Sequence, residues 1–542
     1  MHSPEAFSVL HNVPVSIQAI HLRGLLILAE IYWSDIGLRS LHKPLHSIDT
    51  VLFDPKPEQN AVMNKQNSSP IPGKAFDERD QEKITRGVSL LIGDPKKAIR
   101  KLSGPMIVAM IISATYNVVN AAWVSGLGSD ALAAVGFVTP VFMVVMGLSI
   151  GLGAGASSAI SRRIGARDKK GADNATMHAM LLVIIVSVAS TLVLLRFSEP
   201  LMVLMGAGDA LGLALEYGRI VFLGSILVIF INMAYAILRG EGDARRTMYA
   251  MAGGSLINAI LDPILIYWAG MGIVGAAWGM IISMLLVSAV LIYWLFVKKD
   301  TYVSFSREAF SPSMDMMKDI LAVGIPASLE FLLYSIDAII INSMLVRVSG
   351  TDAVAVYTAG WRVIMMALVP LIAIGTAEIS VAGAAIGSRK YANLSVIHNY
   401  STRLGVIIGV ATAAVTLLFA PQITAFFTYT PESAALAPTM IAFMQVMCLF
   451  YPFVSPGIMS ASLFQGAGKG LTSLLLNMLR DVVLITMMAF VLGMVLGLGE
   501  RGIWWGIVFG NIMGGGISHL WARMYISRVK ERESGRKEKT PW

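Results

Sequence analysis

The chain has 542 residues, 56% of them hydrophobic and only 14% charged, with a formal net charge of +8 and a mean hydropathy of +0.69. Soluble globular domains carry about 25% charge, so this composition excludes an ordinary soluble protein and points to a chain that folds in lipid. Its basic residues sit in loops between apolar runs and form no stripe along a domain, which argues against nucleic-acid binding.

In chain order, residues 1–93 stand apart as an extension for which no essential role is expected. Positions 54–83 are polar and hold Pro55, Pro57, Pro70 and Pro72, the composition of a flexible linker. Positions 22–36 are apolar but short and contain Glu30 and Asp35. They read as an amphipathic surface helix or as an upstream extension with Met63 as the true start, and they lack the pattern of a signal peptide. The segment DPKKAIRKLSGP at 94–105 is a basic, amphipathic approach to the membrane.

Apolar spans then follow at 104–126, 131–157, 176–196, 214–238, 247–269 and 272–297, and again at 318–346, 353–380, 403–421, 434–464, 470–497 and 502–526. About 20 apolar residues cross a hydrocarbon core about 30 Å thick. Every backbone polar group there must be bonded internally, so helices are expected; the alternation of a membrane β-barrel is absent. The fold class is therefore an all-α integral membrane protein of twelve transmembrane helices. It divides into a first lobe at 94–297, a polar linker at 298–317, a second lobe at 318–527 and a basic tail at 528–542.

Loop charge sets the expected orientation. Arg162, Arg163, Arg167, Lys169 and Lys170 share one loop, and Arg239, Arg245 and Arg246 another. Lys298, Lys299 and Arg307 occupy the linker, Arg389 and Lys390 the loop after the eighth span, and Arg528, Lys530, Arg532, Arg536, Lys537 and Lys539 the tail. With alternating spans all fall on one side, which places both termini in the cytoplasm of a plasma-membrane protein.

The halves repeat. GSDALAAVG begins at Gly128 and GTDAVAVYT at Gly350, an offset of 350 − 128 = 222; IGARDKKGAD begins at Ile164 and IGSRKYANLS at Ile386, again 386 − 164 = 222. RGEGD (239–243) and QGAGK (465–469) correspond at a slightly larger offset. Six spans per half make this a parallel repeat about an axis along the membrane normal, with a cleft between the lobes suited to alternating access.

Four segments carry a family resemblance: LSGPMIVAMIISATYNVVNAAWVSGLGSDALAAVGF (102–137), GAGASSAISRRIGARDKKGA (153–172), ILRGEGDARRTMYAMAGGSLINAILDPILIYW (237–268) and GIPASLEF (324–331). In their order and spacing they resemble the multidrug and toxic compound extrusion (MATE) transporters, DinF-like branch, over about 94–527. The resemblance implies a V-shaped pair of six-helix lobes. It also implies export of organic cations or amphiphilic compounds in exchange for Na⁺ or H⁺.

Ionisable groups at membrane depth are costly and mark function. Asp262 lies inside the fifth span with Asn258 four residues earlier on the same helix face, and Pro263 frees a backbone carbonyl nearby. These oxygens can cage Na⁺, or Asp262 can take a proton; a carboxyl bonded to neighbouring helices is the structural alternative. The family usually places a carboxylate at the end of the pattern Y-N-x-x-D, where this chain has YNVVN and Asn120. Tyr217 resembles a tyrosine lining the same lobe, and Glu330, after Pro326, resembles a coupling carboxylate of other branches. Glu330 also reads as a structural partner to Arg362 or Arg480. Asp337 lies two turns beyond Glu330 on roughly the same face. Met143, Met146, Met365 and Met366 suit a promiscuous apolar cavity or ordinary packing, and Met143 and Met366, with Tyr217 and Asp337, are the cavity candidates. Glu378 and Asp481 also lie in apolar surroundings; Arg480 and Asp481 are adjacent, so their side chains are expected to diverge. Gly151, Gly153 and Gly155 read as points of close helix approach, and Pro140 and Pro326 as kinks.

No phosphate-binding loop is present, eight His and Cys448 show no metal-ligand spacing, and the single cysteine can form no internal disulfide. No cofactor is expected beyond the coupling ion, and the partners expected are small organic solutes and lipid around a monomer. The competing reading is a flippase of a lipid-linked saccharide, which would use Arg219, Arg362 and Arg480 in a cationic cavity. A membrane-bound enzyme would need clustered His or paired carboxylates at one interface, which the sequence lacks.

Overall fold

The computed structural model describes residues 84–305, 310–429 and 431–537, all within the compact unit Lys74–Trp542. The expectations for 1–83 lie outside the described residues. Helix α1 (Arg86–Ile92) buries Val88 and sets Gly87 against the turn at Glu241 and Gly242.

The first half then forms α2 (Pro95–Ser125), α3 (Ser129–Gly165), α4 (Lys169–Leu204), α5 (Leu211–Leu223), α6 (Ser225–Gly240), α7 (Ala244–Pro263) and α8 (Gly272–Ile292). The second half forms α9 (Met314–Gly387), α10 (Tyr391–Leu418), α11 (Ala420–Phe427), α12 (Ala437–Met447), α13 (Tyr451–Gly466), α14 (Gly470–Asn477) and α15 (Gly499–Lys537). Ten helices among the described residues are long and apolar enough to cross a membrane. Helix α9, 74 residues long, is two crossings that meet at Gly350, whose φ of 77° only glycine adopts readily. Helix α15, 39 residues ending in the basic tail, supplies the last of twelve crossings.

Local chemistry starts the helices where the charged loops end. Asp94 accepts from Lys97 N at 2.7 Å ahead of Pro95, Asp168 from Gly171 N at 2.9 Å, and Asp243 from Arg246 N at 3.1 Å. Each side-chain oxygen satisfies one of the orphan N–H groups of a first turn.

Backbone conformation carries the repeat. Gly128 (φ 98°) and Gly350 (φ 77°) are 350 − 128 = 222 apart, and Arg167 and Arg389, both at φ 56°, are 389 − 167 = 222 apart. Gly242 and Gly468 are left-handed at 468 − 242 = 226. The π-helical turns Ile264–Trp268 and Val491–Val495 stand at 491 − 264 = 227. Beside them, Gly275 lies against the Leu265 carbonyl and Gly502 against the Leu492 carbonyl at the same offset. Turns and bulges therefore match even where side chains do not.

The halves press together at the ends that carry the basic loops. A Cβ on Gly155 would sit 2.2 Å from the Ile320 carbonyl oxygen, one on Gly165 2.0 Å from that of Ala384, and one on Gly387 1.7 Å from that of Arg162. Of the three glycines read as approach points, Gly151 and Gly155 meet α9 and Gly153 meets Ala236 of α6. Ser157 Oγ lies 3.0 Å from Ser380 Oγ, and Ser158 Oγ donates to the Gln465 carbonyl at 2.6 Å. Arg162 and Arg163 both bridge to Asp319, at 2.9 and 2.8 Å. This seam of α3 against α9 and α13 joins the two halves at that end.

Candidate functional site

The residues singled out in the sequence fall mainly in two polar clusters inside the helical body, one in each half. In the first, α2 presents Tyr116 and Asn120, and α7 presents Asn258 and Asp262, each pair four residues apart and so on one helix face. Tyr116 Oη donates to Asp262 Oδ2 at 3.1 Å. Asn120 Nδ2 donates to Asp262 Oδ2 at 2.6 Å and to Tyr116 Oη at 3.0 Å, and Asn258 Nδ2 also donates to Tyr116 Oη.

The hydrogen bonds of this cluster leave two acceptor oxygens unpaired. A phenol offers one donor and two acceptor positions, and Tyr116 uses all three. The two Nδ2 hydrogens of Asn120 reach Tyr116 and Asp262. Asp262 Oδ1 and Asn258 Oδ1 remain buried with no partner. Both face Gly279 of α8, whose Cβ, if present, would lie 2.6 Å from Asp262 Oδ1 and 3.6 Å from Asn258 Oδ1. A buried carboxylate oxygen and an amide oxygen thus converge on a space kept open by the missing side chain. Pro263 brings no N–H, so the Ala259 carbonyl loses its usual partner one turn away. Tyr217 of α5 is an electrostatic neighbour of both Asp262 and Tyr116 and packs with Trp123, Val124 and Ile266.

The sequence reading identified Asp262, Asn258, Asn120 and Tyr217, and the structure brings all four together. It missed Tyr116 and Gly279. Tyr116 stands four residues before Asn120, the spacing that pairs Asn258 with Asp262, so a signal was available. Gly279 is one of 50 glycines and carried none.

The second cluster gathers Glu330 and Asp337 of α9 with residues of α13, α14 and the π-helical stretch Met478–Ile485. Glu330 accepts from Ser473 Oγ at 2.8 Å and from Gln465 Nε2 at 3.2 Å. Thr486 Oγ1 reaches Asp337 Oδ1 at 3.5 Å. Arg480 and Asp481 do not diverge. They form a buried bidentate pair, Nε–Oδ1 2.7 Å and Nη2–Oδ2 3.0 Å. The π-helix explains the correction: its wider turn rotates successive residues by less than in an α-helix, so neighbouring side chains lie closer in azimuth. Arg480 is an electrostatic neighbour of Glu330 but bonds Asp481. Met143 and Met366 belong to neither cluster and stand 57% and 45% exposed.

The repeat carries over only part of the first cluster: 120 + 222 gives Asn342, whose Oδ1 is also buried with no partner, whereas 116 + 222 gives Ala338. Adding 227 to Asn258 and Asp262 gives Ile485 and Ala489, and Gly506, at 279 + 227, packs directly on Ala489. At the positions of Asn258 and Asp262 the same backbone frame therefore holds polar oxygens in one half and apolar side chains in the other. Among the described residues no group of three or more His, Cys, Asp or Glu is placed to hold a metal ion.

Comparison with known proteins agrees with this architecture. The family model MatE matches 105–264 and 326–496, more than half of the chain. The multidrug export protein MepA of Staphylococcus aureus (strain MRSA252) is 27% identical over 438 residues, covering 80% of this chain and 94% of that protein. A crystal structure of MATE in complex with MaL6 superposes with a TM-score of 0.81 at 44% identity, over 82% of this chain and 100% of that one. A MOP superfamily transporter from Pyrococcus furiosus, whose structure is described as having a binding pocket of reverse polarity suggesting a different function, matches with a TM-score of 0.81 at 44% identity, over 83% and 99% of the two chains. With twelve crossings, a parallel repeat and a family match across both halves, the chain belongs to the MATE family of membrane transporters and is not an enzyme.

Proposed function

We propose that this transporter is a secondary antiporter that exports organic cations or amphiphilic compounds in exchange for an inward-moving Na⁺ or H⁺, and that the coupling cation binds at Asp262. The observation that carries this reading is the pair of buried, unpartnered oxygens, Asp262 Oδ1 and Asn258 Oδ1, facing the space at Gly279. The donors of Tyr116 and Asn120 are already used and leave these two acceptors and a negative charge unmet, which a cation satisfies. Na⁺ takes both oxygens; a proton takes Asp262 Oδ1 alone. Asn120 in the family's carboxylate position supplies donors that hold Asp262 and leaves it the sole charge of the cluster. The export of multiple drugs comes to this chain from its resemblance to MepA, and small organic solutes are its partners.

Glu330, Asp337, Tyr217, Met143 and Met366 are proposed to serve solute passage. The flippase reading would use free arginines in the cavity. Arg480 is neutralised by Asp481, and the carboxylates of both clusters favour a cationic cargo. The basic loops put both termini in the cytoplasm of the plasma membrane, so the α3–α9 seam joins the halves at the cytoplasmic end. Cation binding favours one lobe arrangement and solute the other, so each weakens the other by linkage.

The test is efflux of tetraphenylphosphonium from proteoliposomes under separately imposed Na⁺ and pH gradients. Asp262→Asn keeps an acceptor for Asn120 and Tyr116 but removes the charge, and it should abolish gradient-driven efflux. Unchanged efflux in that variant rejects the site.

A further inference from the structure

A separate titratable chain lies in the second half, away from both clusters. Glu378 of the second crossing of α9 and His398 of α10 are both fully buried. His398 Nδ1 lies 3.2 Å from Glu378 Oε1, and His398 Nε2 lies 3.1 Å from His519 Nδ1 of α15. The two imidazoles stack, with centroids 4.9 Å apart at 24°. Glu378 Oε2 is buried with no partner. His519 is only partly buried, and one turn further along α15 stands exposed Arg523. The chain therefore runs from the exterior inward.

Proton counting constrains it. Each of the two contacts needs one proton between its heavy atoms. If Glu378 carries a proton on Oε1 and donates to His398 Nδ1, then His398 Nε2–H donates to His519 Nδ1. If instead His519 Nδ1–H donates to His398 Nε2, then His398 Nδ1–H donates to a carboxylate. Both arrangements satisfy every contact. They interconvert when a proton passes from Glu378 Oε1 to His398 Nδ1 and the His398 Nε2 proton passes to His519 Nδ1. His519 then releases its Nε2 proton to water, so one proton leaves the chain and all bonds balance; the reverse loads it.

The fold does not require these residues. At the repeat offsets, Glu378 corresponds to Ala156 (378 − 222), His398 to Thr176 (398 − 222) and His519 to Ile292 (519 − 227). The first half packs the same crossings with no titratable group there, and Thr176 satisfies itself on the Ala172 carbonyl. Other charged groups are few. Arg523 is the charged neighbour of both histidines, and Ser401 of α10 is the polar neighbour of Glu378. The surrounding core from α2, α13 and α15 is Met106, Met459, Leu463 and Ala522. Two residues past Glu378, Ser380 makes the contact with Ser157 across the seam.

We propose that Glu378, His398 and His519 form a second, proton-exchanging site, loaded and emptied through His519 and independent of the cation site at Asp262. The experiment is pH-difference infrared spectroscopy on the purified full-length transporter in lipid nanodiscs, comparing mildly acidic and mildly alkaline buffer. The expected result is a protonated-carboxyl C=O band in the difference spectrum that is lost in Glu378→Gln, shifted in Glu378→Asp and retained in Asp262→Asn. His519→Asn should shift that band and slow its downshift on transfer to D₂O. If Glu378→Gln does not fold, His398→Gln reads the same band from the middle of the chain and should shift it. A difference spectrum identical in wild type and Glu378→Gln, or a band that His398→Gln and His519→Asn both leave untouched, overturns the proposal. Asp262→Asn keeps the two readings separable: if it retains efflux, the coupling site fails while this band still decides the second site.

Discussion

Gly279→Ala tests the proposed cation site without touching a charge. The new methyl would lie 2.6 Å from Asp262 Oδ1, short of the 3.4 Å at which ordinary contact begins by 3.4 − 2.6 = 0.8 Å. If Asp262 stays, the methyl occupies the cation's space. If Asp262 turns away, an off-rotamer side chain costs about 1 kcal/mol, and weakening the charged bonds from Asn120 and Tyr116 costs about 2 kcal/mol more. Either route weakens cation binding by about 2 kcal/mol or more, which is roughly 30-fold or more in affinity. The assay is the half-saturating Na⁺ concentration, and separately the half-maximal proton concentration, for tetraphenylphosphonium efflux in proteoliposomes. Gly253→Ala of α7, where a Cβ meets nothing within 4 Å, is the control for helix propensity. If Gly279→Ala leaves both cation dependences at wild-type values, the oxygens facing Gly279 do not hold the coupling ion.

Further outcomes follow from the same geometry. Asn120→Asp places a second carboxylate against Asp262 Oδ2, where Asn120 now donates at 2.6 Å; two such groups retain one proton between them at neutral pH. The variant should therefore release a proton on binding Na⁺, read with a pH-sensitive dye, whereas wild type should release less. Asp319→Asn removes the carboxylate shared by Arg162 and Arg163. Two partly exposed bridges are worth about 1 kcal/mol together, so opening of the seam should rise roughly fivefold. Maleimide labelling of Ser157→Cys reads that opening, since the native Cys448 is buried and silent; unchanged labelling would remove the bridges from the gate.

Glu241, in the turn between α6 and α7, accepts from Tyr302 N and Val303 N at 2.9 and 3.2 Å. Burial pushes its carboxyl from the ordinary 4.5 up to about 8, against the pull of these backbone bonds. Below pH 4.5 both folded and unfolded chains hold the proton, and between 4.5 and about 8 only the folded chain does. Stability therefore falls as pH rises through that window, by up to about 1 kcal/mol per pH unit. Glu241→Gln, which is neutral throughout, should flatten that part of a melting-temperature profile.

Much of this molecule was legible in one dimension. Apolar run lengths and the 222-residue offset depend only on neighbours along the chain and on the thickness of lipid, so spans and the parallel repeat could be read directly. Asn258 and Asp262 shared a helix face by spacing alone. The partners that give those residues meaning were not local. Tyr116 meets Asp262 across 146 positions, and His398 meets His519 across 121. Gly279 matters only because α8 packs its bare backbone against α7. The π-helical turn that pairs Arg480 with Asp481 leaves no mark in an apolar run. Helix formation in a membrane is dictated by the backbone's need to bond internally, which sequence patterns report. Which donors are used up and which oxygens are left over is decided only when helices distant in sequence come into contact.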